Sequence, residues 1–238
     1  MMDMIHNLAL SEFEITALWL SLKVSGIATL LTLPFAIFIG FTLSRRDFLG
    51  KSLLEAVIYL PLVLPPVVIG YLLLISFSNQ SYFGRFLFDY LGLEFAFRWQ
   101  GAALAVSVVS LPLMVRSIRL AFDLIDTKIE QAALTLGASP FRIFLSISLP
   151  LALPGIVSGA VLGMARGLGE FGATITFAAN IPGQTQTLPL AMYSFIQTPG
   201  AEFMAARLCV IAIVIAIIAL LISEFLTRQM KKKLVGQS

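Results

Sequence analysis

The chain has 238 residues, of which 58% are hydrophobic and only 12% are charged, whereas a soluble domain averages about 25% charged residues. This composition excludes an ordinary soluble globular domain and indicates an integral membrane protein. The formal net charge is only +3, and we expect no nucleic-acid partner. The single Cys, Cys209, and the single His, His6, lie far apart. This excludes an intramolecular disulfide and argues against a metal site or a Cys/His nucleophile.

Five apolar segments reach the roughly 20 residues that a bilayer core requires. They cover residues 16–43, 53–77, 101–122, 151–177 and 205–226. The start of the chain lacks the basic n-region of a cleaved signal, so the first segment is expected to remain as a spanning helix. No repeat, low-complexity segment or linker divides the chain. We therefore predict an all-α fold with five transmembrane helices in a single domain over 1–238.

The basic residues predict the orientation, because cytoplasmic loops carry an excess of Lys and Arg. Eleven of the sixteen lie on one side, namely Arg45, Arg46, Lys51, Arg116, Arg119, Lys128, Arg142, Arg228, Lys231, Lys232 and Lys233. The other side has Arg85, Arg98 and Arg207. This predicts a periplasmic N-terminus and a cytoplasmic C-terminus in a bacterial inner membrane, as an odd number of spans requires.

Two features follow the first span. The sequence LGKS at 49–52 ends like a Walker A loop, but that motif needs a Gly at the position of Arg45, and no strand precedes it. We therefore expect no ATP site. Pro61, Pro65 and Pro66 interrupt the second span, where each removes a backbone donor. This predicts either a helix that lines a path and bends during gating or a fixed structural kink.

Residues 123–149, the coupling loop, form the longest predicted cytoplasmic loop. Thr127 to Glu130 fits the capping box S/T-x-x-E at the start of a short helix. Gly137 stands where a left-handed residue would end that helix. Ser139-Pro140 fits an N-cap and first-turn proline, which predicts a second short helix running towards Leu149. The loop is therefore predicted to be helix, Gly turn, helix.

Ala133 and Gly137 are four residues apart and share one face of the first short helix. A face without bulky side chains allows another protein to approach closely. The residues alone are equally consistent with Ala as a good helix former and Gly as a simple stop.

The outer end of the fourth span carries Arg166 and Glu170, four residues apart. Charges at membrane depth are usually paired, so the two predict an intramembrane ion pair. Alternatively, Glu170 between Gly169 and Gly172 helps to form a gate, because glycines allow close helix approach. Three further polar residues are candidates for lining a path, namely Thr174, Thr176 and Asn180. No catalytic residue and no metal ligand is predicted.

The coupling loop resembles a motif of ABC importer permeases: Glu-Ala-Ala, three residues, Gly, nine residues, and Ile-x-Leu-Pro. The spacing is kept in full, with Gln131 at the position of the Glu and Glu130 directly before it. Which of these two fills the carboxylate's role stays open. The matching site residues are Glu130, Gln131, Ala132, Ala133, Gly137, Ile147, Leu149 and Pro150. In that family the two short helices dock into a cleft of a separate ATPase subunit.

Four longer stretches resemble the molybdate-importer branch of these permeases: 60–74, 111–121, 165–193 and 206–213. The resemblance covers nearly all of the chain from about residue 18 to 225. It implies a type I permease fold, a second copy of the chain, two ATPase subunits and a periplasmic molybdate-binding protein. It also implies transport of molybdate, and of tungstate similarly, with no cofactor and no enzymatic activity in this chain.

Two alternatives remain. Sulfate and thiosulfate permeases share the Gly-Glu-Phe-Gly-Ala block at 169–173, so the chain could serve one of those anions or tungstate alone. An ion-coupled anion carrier or channel would need no ATPase. The coupling motif argues against this last class, as does the lack of paired intramembrane proton carriers beyond Glu170.

Overall fold

The computed structural model describes residues 11–235, and over this range the secondary structure is entirely helical. The helices in chain order are α1 (Glu12–Arg45), α2 (Lys51–Val63), α3 (Pro66–Phe77), α4 (Tyr82–Leu91), α5 (Trp99–Asp123), α6 (Thr127–Thr135), α7 (Pro140–Ile143), a π-helical segment (Phe144–Ser148), α8 (Leu149–Leu168), α9 (Gly172–Ala178), α10 (Leu188–Ile196) and α11 (Glu202–Val235).

Four helical segments of residues 11–235 are long and apolar enough to cross a bilayer by themselves. They are α1, α5, the continuous stretch Pro140–Leu168 and Glu202–Gln229 within α11. The helices α2 and α3 form a fifth when the bent pair is taken as one span. The all-helical membrane fold predicted from the sequence is thereby confirmed.

The predicted second span, 53–77, is not one helix. α2 ends at Val63, and α3 begins at Pro66 after two residues of extended backbone. The two helix axes differ by 113°. Proline disfavours helical geometry in the residue before it, and the pair Pro65-Pro66 applies this restriction to two successive residues. The interruption is therefore a complete break rather than a kink.

The predicted fourth span, 151–177, is also wrong at both ends. Its helix continues back to Pro140 through the π-helical segment and ends at Leu168. After a break at 169–171, the separate helix α9 begins at Gly172. The buried Glu170 accepts a hydrogen bond from the backbone N–H of Ala173 at 2.7 Å. This carboxylate satisfies an orphan donor of the first turn and so favours a new helix start.

The centre of the molecule is the crossing of α1, α5 and α8. Along α8, four glycines spaced four residues apart form a ridge against α5: Gly155, Gly159, Gly163 and Gly167. A Cβ on Gly163 would lie 2.6 Å from the sulfur of Met114, and a Cβ on Gly155 would overlap the Cβ of Ala121. Small residues at such positions let membrane helices pack backbone to backbone. This ridge was not predicted from the sequence.

A separate contact joins α3 and α9. This contact also depends on glycine, since a Cβ on Gly70 would lie 2.6 Å from the carbonyl oxygen of Ala173. Near the start of α1, the fully buried Glu14 forms an ion pair with Arg207 of α11. The first and last helices are thus joined by a charge pair at the end opposite the coupling loop.

Candidate functional site

The first short helix of the coupling loop, α6, begins one residue earlier than the capping box requires. Its N-cap is Asp126, whose side chain accepts a hydrogen bond from the N–H of Lys128 at 2.9 Å. The predicted capping box between Thr127 and Glu130 is therefore wrong. Asp at an N-cap satisfies the same orphan donors, and this leaves the carboxylate of Glu130 available for other partners.

The helix stop was predicted correctly. Gly137 has φ +83°, in the left-handed region. Its N–H donates to the carbonyl of Leu134 at 3.0 Å, and that of Ala138 donates to the carbonyl of Ala133 at 3.1 Å. This pair of bonds is a Schellman motif, which satisfies carbonyls at the end of a helix. Nothing lies within 4 Å of a Cβ built on Gly137, so the turn faces open space.

The second short helix departs from the prediction. Ser139 is its N-cap, accepting from the N–H of Arg142 at 3.4 Å, as expected. The α-helix then gives way after Ile143 to the π-helical segment, which contains the half-buried Ile147. Leu149 and Pro150 are the first residues of α8, which continues the π-helical segment without a break, so Pro150 cannot donate the backbone hydrogen bond of its position. The coupling loop therefore continues directly into a membrane-spanning helix.

The surface of α6 is open, and it combines the small Ala132 with the larger exposed side chains of Ile129 and Leu134. No residue of α6 is buried. Gln131 and Ala132 are exposed, and Ala133 is half-buried. An exposed helix of this kind, with an open glycine turn after it, is accessible to another protein.

Glu130 points the other way and joins three parts of the chain. The single Nε–H of Arg45 is shared between the two carboxylate oxygens of Glu130, at N–O distances of 3.0 and 3.2 Å, and Nη2 of Arg45 donates at 3.1 Å. The hydroxyl of Ser148 donates to the same carboxylate at 2.7 Å. The side chains of Arg45 and Glu130 are only 13% and 15% exposed. We call these three residues the Glu130 clamp.

The clamp was missed by reasoning from the sequence. Arg45 entered that reasoning only as a marker of orientation, and Ser148 occupies the variable position of Ile-x-Leu-Pro. Arg45 and Glu130 are 85 residues apart in the chain. The available signals were an arginine at the end of an apolar span and a carboxylate, Glu130, one residue before the motif position that Gln131 occupies.

A second ionic contact ties α2 to α5 near the same end. Nη1 of Arg119 lies 2.9 Å from Glu55, and its Nε lies 3.7 Å from Asp123. In the turn between α1 and α2, Lys51 donates to Asp47 at 2.9 Å. That hydrogen bond, together with the charge of Lys51, lowers the pKa of the exposed Asp47 carboxyl. Both contacts fix the helix ends that surround the coupling loop.

The candidate path residues of the second span meet those of the fourth at the α3–α9 contact. A Cβ on Gly172 would lie 2.9 Å from the Cβ of Pro66, and one on Gly70 would lie 2.8 Å from the Cβ of Thr176. Pro65 is exposed at the break itself, and Pro61 is half-buried within α2. The break in one span therefore lies against the break in the other.

Glu170 is paired, as predicted from its spacing with Arg166. Oε2 of the carboxylate lies 2.7 Å from Nη1 of Arg166, and Glu170 is 2% exposed. The fully buried Thr174 donates to the carbonyls of Phe171 and Glu170, at 2.9 and 3.3 Å. These contacts make Glu170 and Thr174 internal supports of the break, whereas Gly169 beside them is exposed.

Asn180 belongs to a polar cluster after α9. Its Nδ2 donates to Oγ of Ser194 at 2.9 Å, and the buried Gln186 donates to the same oxygen at 3.2 Å. Oδ1 of Asn180 is buried with no partner among the described residues. The neighbouring Ala179 has φ 62° and ψ −167°, a conformation almost confined to glycine. The chain turns at this point under local strain.

Two interrupted membrane spans in contact, and an exposed helical loop that leads into one of them, are an arrangement typical of membrane transport proteins. Residues 11–235 hold no group of three His, Cys, Asp or Glu side chains that could bind a metal ion. The chain belongs to the family described as binding-protein-dependent transport system inner membrane component, which matches residues 32–232. It is thus a multi-pass inner-membrane protein.

Two relatives are similar over nearly their whole length. The molybdenum transport system permease protein ModB of Haemophilus influenzae is 58% identical over 93% of this chain and 96% of the relative. The protein of the same name from Escherichia coli K12 is 59% identical over 92% of this chain and 96% of the relative.

Solved structures share the fold at low identity. A bacterial ABC transporter involved in the import of the acidic polysaccharide alginate has a TM-score of 0.74 and 19% identity, over 95% of this chain and 83% of that chain. The MetNI methionine ABC transporter, in an inward-facing conformation, has a TM-score of 0.70 and 16% identity, over 93% of this chain and 99% of that chain. The type I importer permease fold expected from the sequence is thereby confirmed.

Proposed function

We propose that this chain is the permease subunit of an ATP-driven importer of molybdate, and of tungstate similarly. The observation that carries the proposal is the identity of 58–59% to two molybdenum permeases over at least 92% of the chain. A relative this similar along its whole length shares the path as well as the docking surface. The chain itself performs no covalent chemistry, needs no cofactor, and relies on a partner subunit for ATP hydrolysis.

The proposed orientation places the coupling loop in the cytoplasm, with the N-terminus outside and the C-terminus inside. The support is the distribution of Lys and Arg. The paired Glu14 and Arg207 then lie at the periplasmic end. The periplasmic binding protein delivers its anion at that end.

Docking of the ATPase is assigned to the open surface of the coupling loop. Gln131, Ala132 and Ala133 present small or polar side chains there, and Gly137 supplies the turn that lets the second short helix follow. Two copies of the chain carry two such loops, and each loop takes one ATPase subunit. Closure of the ATPase pair on ATP draws the loops together, and hydrolysis releases them.

The path is assigned to the interface between the two copies, with the gate at the α3–α9 contact. Pro61, Pro65 and Pro66 let the second span bend, and Gly169 and Gly172 let α9 approach it. Asn180 keeps a second amide hydrogen for an oxyanion, and Thr176 could donate to one only by releasing its bond to the carbonyl of Gly172 at 2.9 Å. Thr174 and Glu170 support the break from inside. Few basic residues are needed, because a path must bind its ion weakly enough to release it.

Reconstitution in proteoliposomes with the ATPase and the periplasmic binding protein tests this function. We expect import of molybdate, with tungstate competing and sulfate not. Discrimination between the anions is assigned to the binding protein, so a sulfate-binding protein that docks normally should permit some sulfate flux. Import of sulfate in preference to molybdate with the native binding protein would contradict the proposal and favour the sulfate branch.

A further inference from the structure

The attachment of α6 to the rest of the protein depends on few contacts. None of its nine residues is buried, and Glu130 and Ala133 are its only half-buried ones. Packed apolar side chains, which normally fix a helix in place, are therefore scarce here. The interaction that remains is the carboxylate of Glu130, which accepts from Nε and Nη2 of Arg45 and from the hydroxyl of Ser148.

The partners of Glu130 belong to the two helices that form the molecule's centre. Arg45 is the last residue of α1, and Ser148 directly precedes α8. Arg45 also donates from Nη2 to the carbonyl of Ile125 at 3.4 Å, just before α6. Both α1 and α8 pack along α5. A displacement of α6 that preserves the clamp must therefore displace the ends of α1 and α8 with it.

The continuation of α8 links the clamp to the proposed gate. The helical stretch Pro140–Leu168 is unbroken from the coupling loop to the break at 169–171. At its far end, Arg166 pairs with Glu170, and Glu170 bonds to the start of α9. One continuous helical element therefore connects the coupling loop with the break beside the α3–α9 contact.

We propose that Glu130 is a positioning residue that transmits the movement of the coupling helix to α1 and α8 through Arg45 and Ser148, and that it is not a contact of the ATPase. The inference rests on the proposed function, and it assigns different roles to the adjacent residues Glu130 and Gln131. Gln131, at the exposed position of the family motif's carboxylate, faces the partner. Glu130, one residue earlier, faces the membrane domain.

The test compares Glu130→Gln and Arg45→Gln with the matched control Arg46→Gln in the reconstituted importer. Arg46 is the next arginine, and it is exposed and has no side-chain hydrogen bond or ion pair among the described residues. Gln131→Glu is measured beside them as a variant of the docking surface, for which retention of the ATPase subunit is the quantity expected to change. Three quantities are measured: the ATPase subunit retained in a pull-down, ATP hydrolysis, and molybdate imported per ATP hydrolysed.

We expect both clamp variants to retain the ATPase subunit while molybdate imported per ATP falls roughly tenfold, within the range found for coupling between distant sites. The control Arg46→Gln keeps the wild-type ratio. The double variant Arg45→Glu with Glu130→Arg restores the opposite charges, and it should recover much of the ratio. Recovery of this kind distinguishes a transmitted movement from a general loss of structure.

Three results would overturn the inference. Loss of the ATPase subunit from the pull-down in Glu130→Gln would assign this residue to docking. A wild-type ratio of molybdate imported per ATP in both clamp variants would show that the movement passes elsewhere. If the charge-reversed double variant did not recover this ratio, the loss in the single variants would be explained by a structural defect. Absence of molybdate import in the wild-type complex would instead contradict the proposed function, so the two failures are distinguishable.

Discussion

Gly137 is the residue at which the coupling loop depends most on a single backbone conformation. Its φ of +83° is unfavourable for residues with a side chain, by roughly 1–2 kcal/mol. A side chain added here meets no atom of this chain within 4 Å and projects from the open surface. A bulky residue that disfavours a positive φ therefore affects both the turn and the proposed docking surface.

We predict that Gly137→Leu abolishes ATP-driven transport while the protein still folds and inserts, because strain and bulk are both confined to an exposed loop. Pull-down of the ATPase subunit and uptake into vesicles measure the effect. Gly137→Asn is the matched control, since Asn tolerates the left-handed conformation and adds less bulk. Ala133→Leu adds bulk without strain and should weaken association alone. Full coupling in Gly137→Leu would make the loop a simple connector.

At the residue scale, the sequence predicted what depends on neighbours in the chain and missed what depends on distant ones. The left-handed Gly137, the N-cap Ser139 and the Arg166–Glu170 pair are local patterns, and all three form. The capping box failed because Asp126 caps α6 instead. The charged partner of Glu130, Arg45, is 85 residues away in the sequence, where helix patterns carry no information.

The glycine ridge of α8 is the main packing feature at the scale of elements. Four glycines on one face bring α8 against α5 closely enough that a methyl group on Gly155 overlaps Ala121. The contacted atom is the Cβ of Ala121, which rotation of the side chain cannot move away. A small substitution should therefore separate two of the three central helices.

We predict that Gly155→Ala lowers the free energy of unfolding by about 1–3 kcal/mol, as overpacking of a tight core does. Thermal unfolding of the detergent-solubilised protein measures this. Gly26→Ala on α1 is the control, because a Cβ there has no neighbour within 4 Å and alanine favours a helix. Equal melting temperatures for the two variants would mean that α5 and α8 can move apart without cost.

At this scale, the presence of the long helices could be predicted from the sequence, whereas the positions of the breaks within the spans could not. The first, third and fifth spans follow from apolar length alone, and the observed α1, α5 and α11 contain them. Pro65 and Pro66 indicated an interruption, but the 113° bend also involves the packing of α3 on α9. The break at 169–171 coincides with a buried carboxylate bonded to α9, a tertiary contact that hydropathy cannot reveal.

The orientation of the molecule in the membrane is testable with a single fusion. We predict that a reporter active only in the cytoplasm, fused to the C-terminus, is active, because eleven of sixteen basic residues lie on that side. A reporter that requires export, fused at the same place, serves as the control. Activity of the exported reporter alone would contradict both the orientation and the odd number of spans.

The whole molecule is, in this account, a passive path whose movement is supplied by an ATPase docked on the coupling loop. An ion-coupled carrier with the same helices would work without that partner. The difference between the two lies in the energy source, which uptake into sealed vesicles reports directly.

The most direct test is therefore uptake of radiolabelled molybdate by proteoliposomes that contain this chain and its ATPase subunit, with the binding protein present. ATP is either supplied or replaced by a non-hydrolysable analogue. We expect sustained uptake only with hydrolysable ATP, and none when the ATPase subunit is omitted. Molybdate uptake driven by an ion gradient through this chain alone would contradict the account.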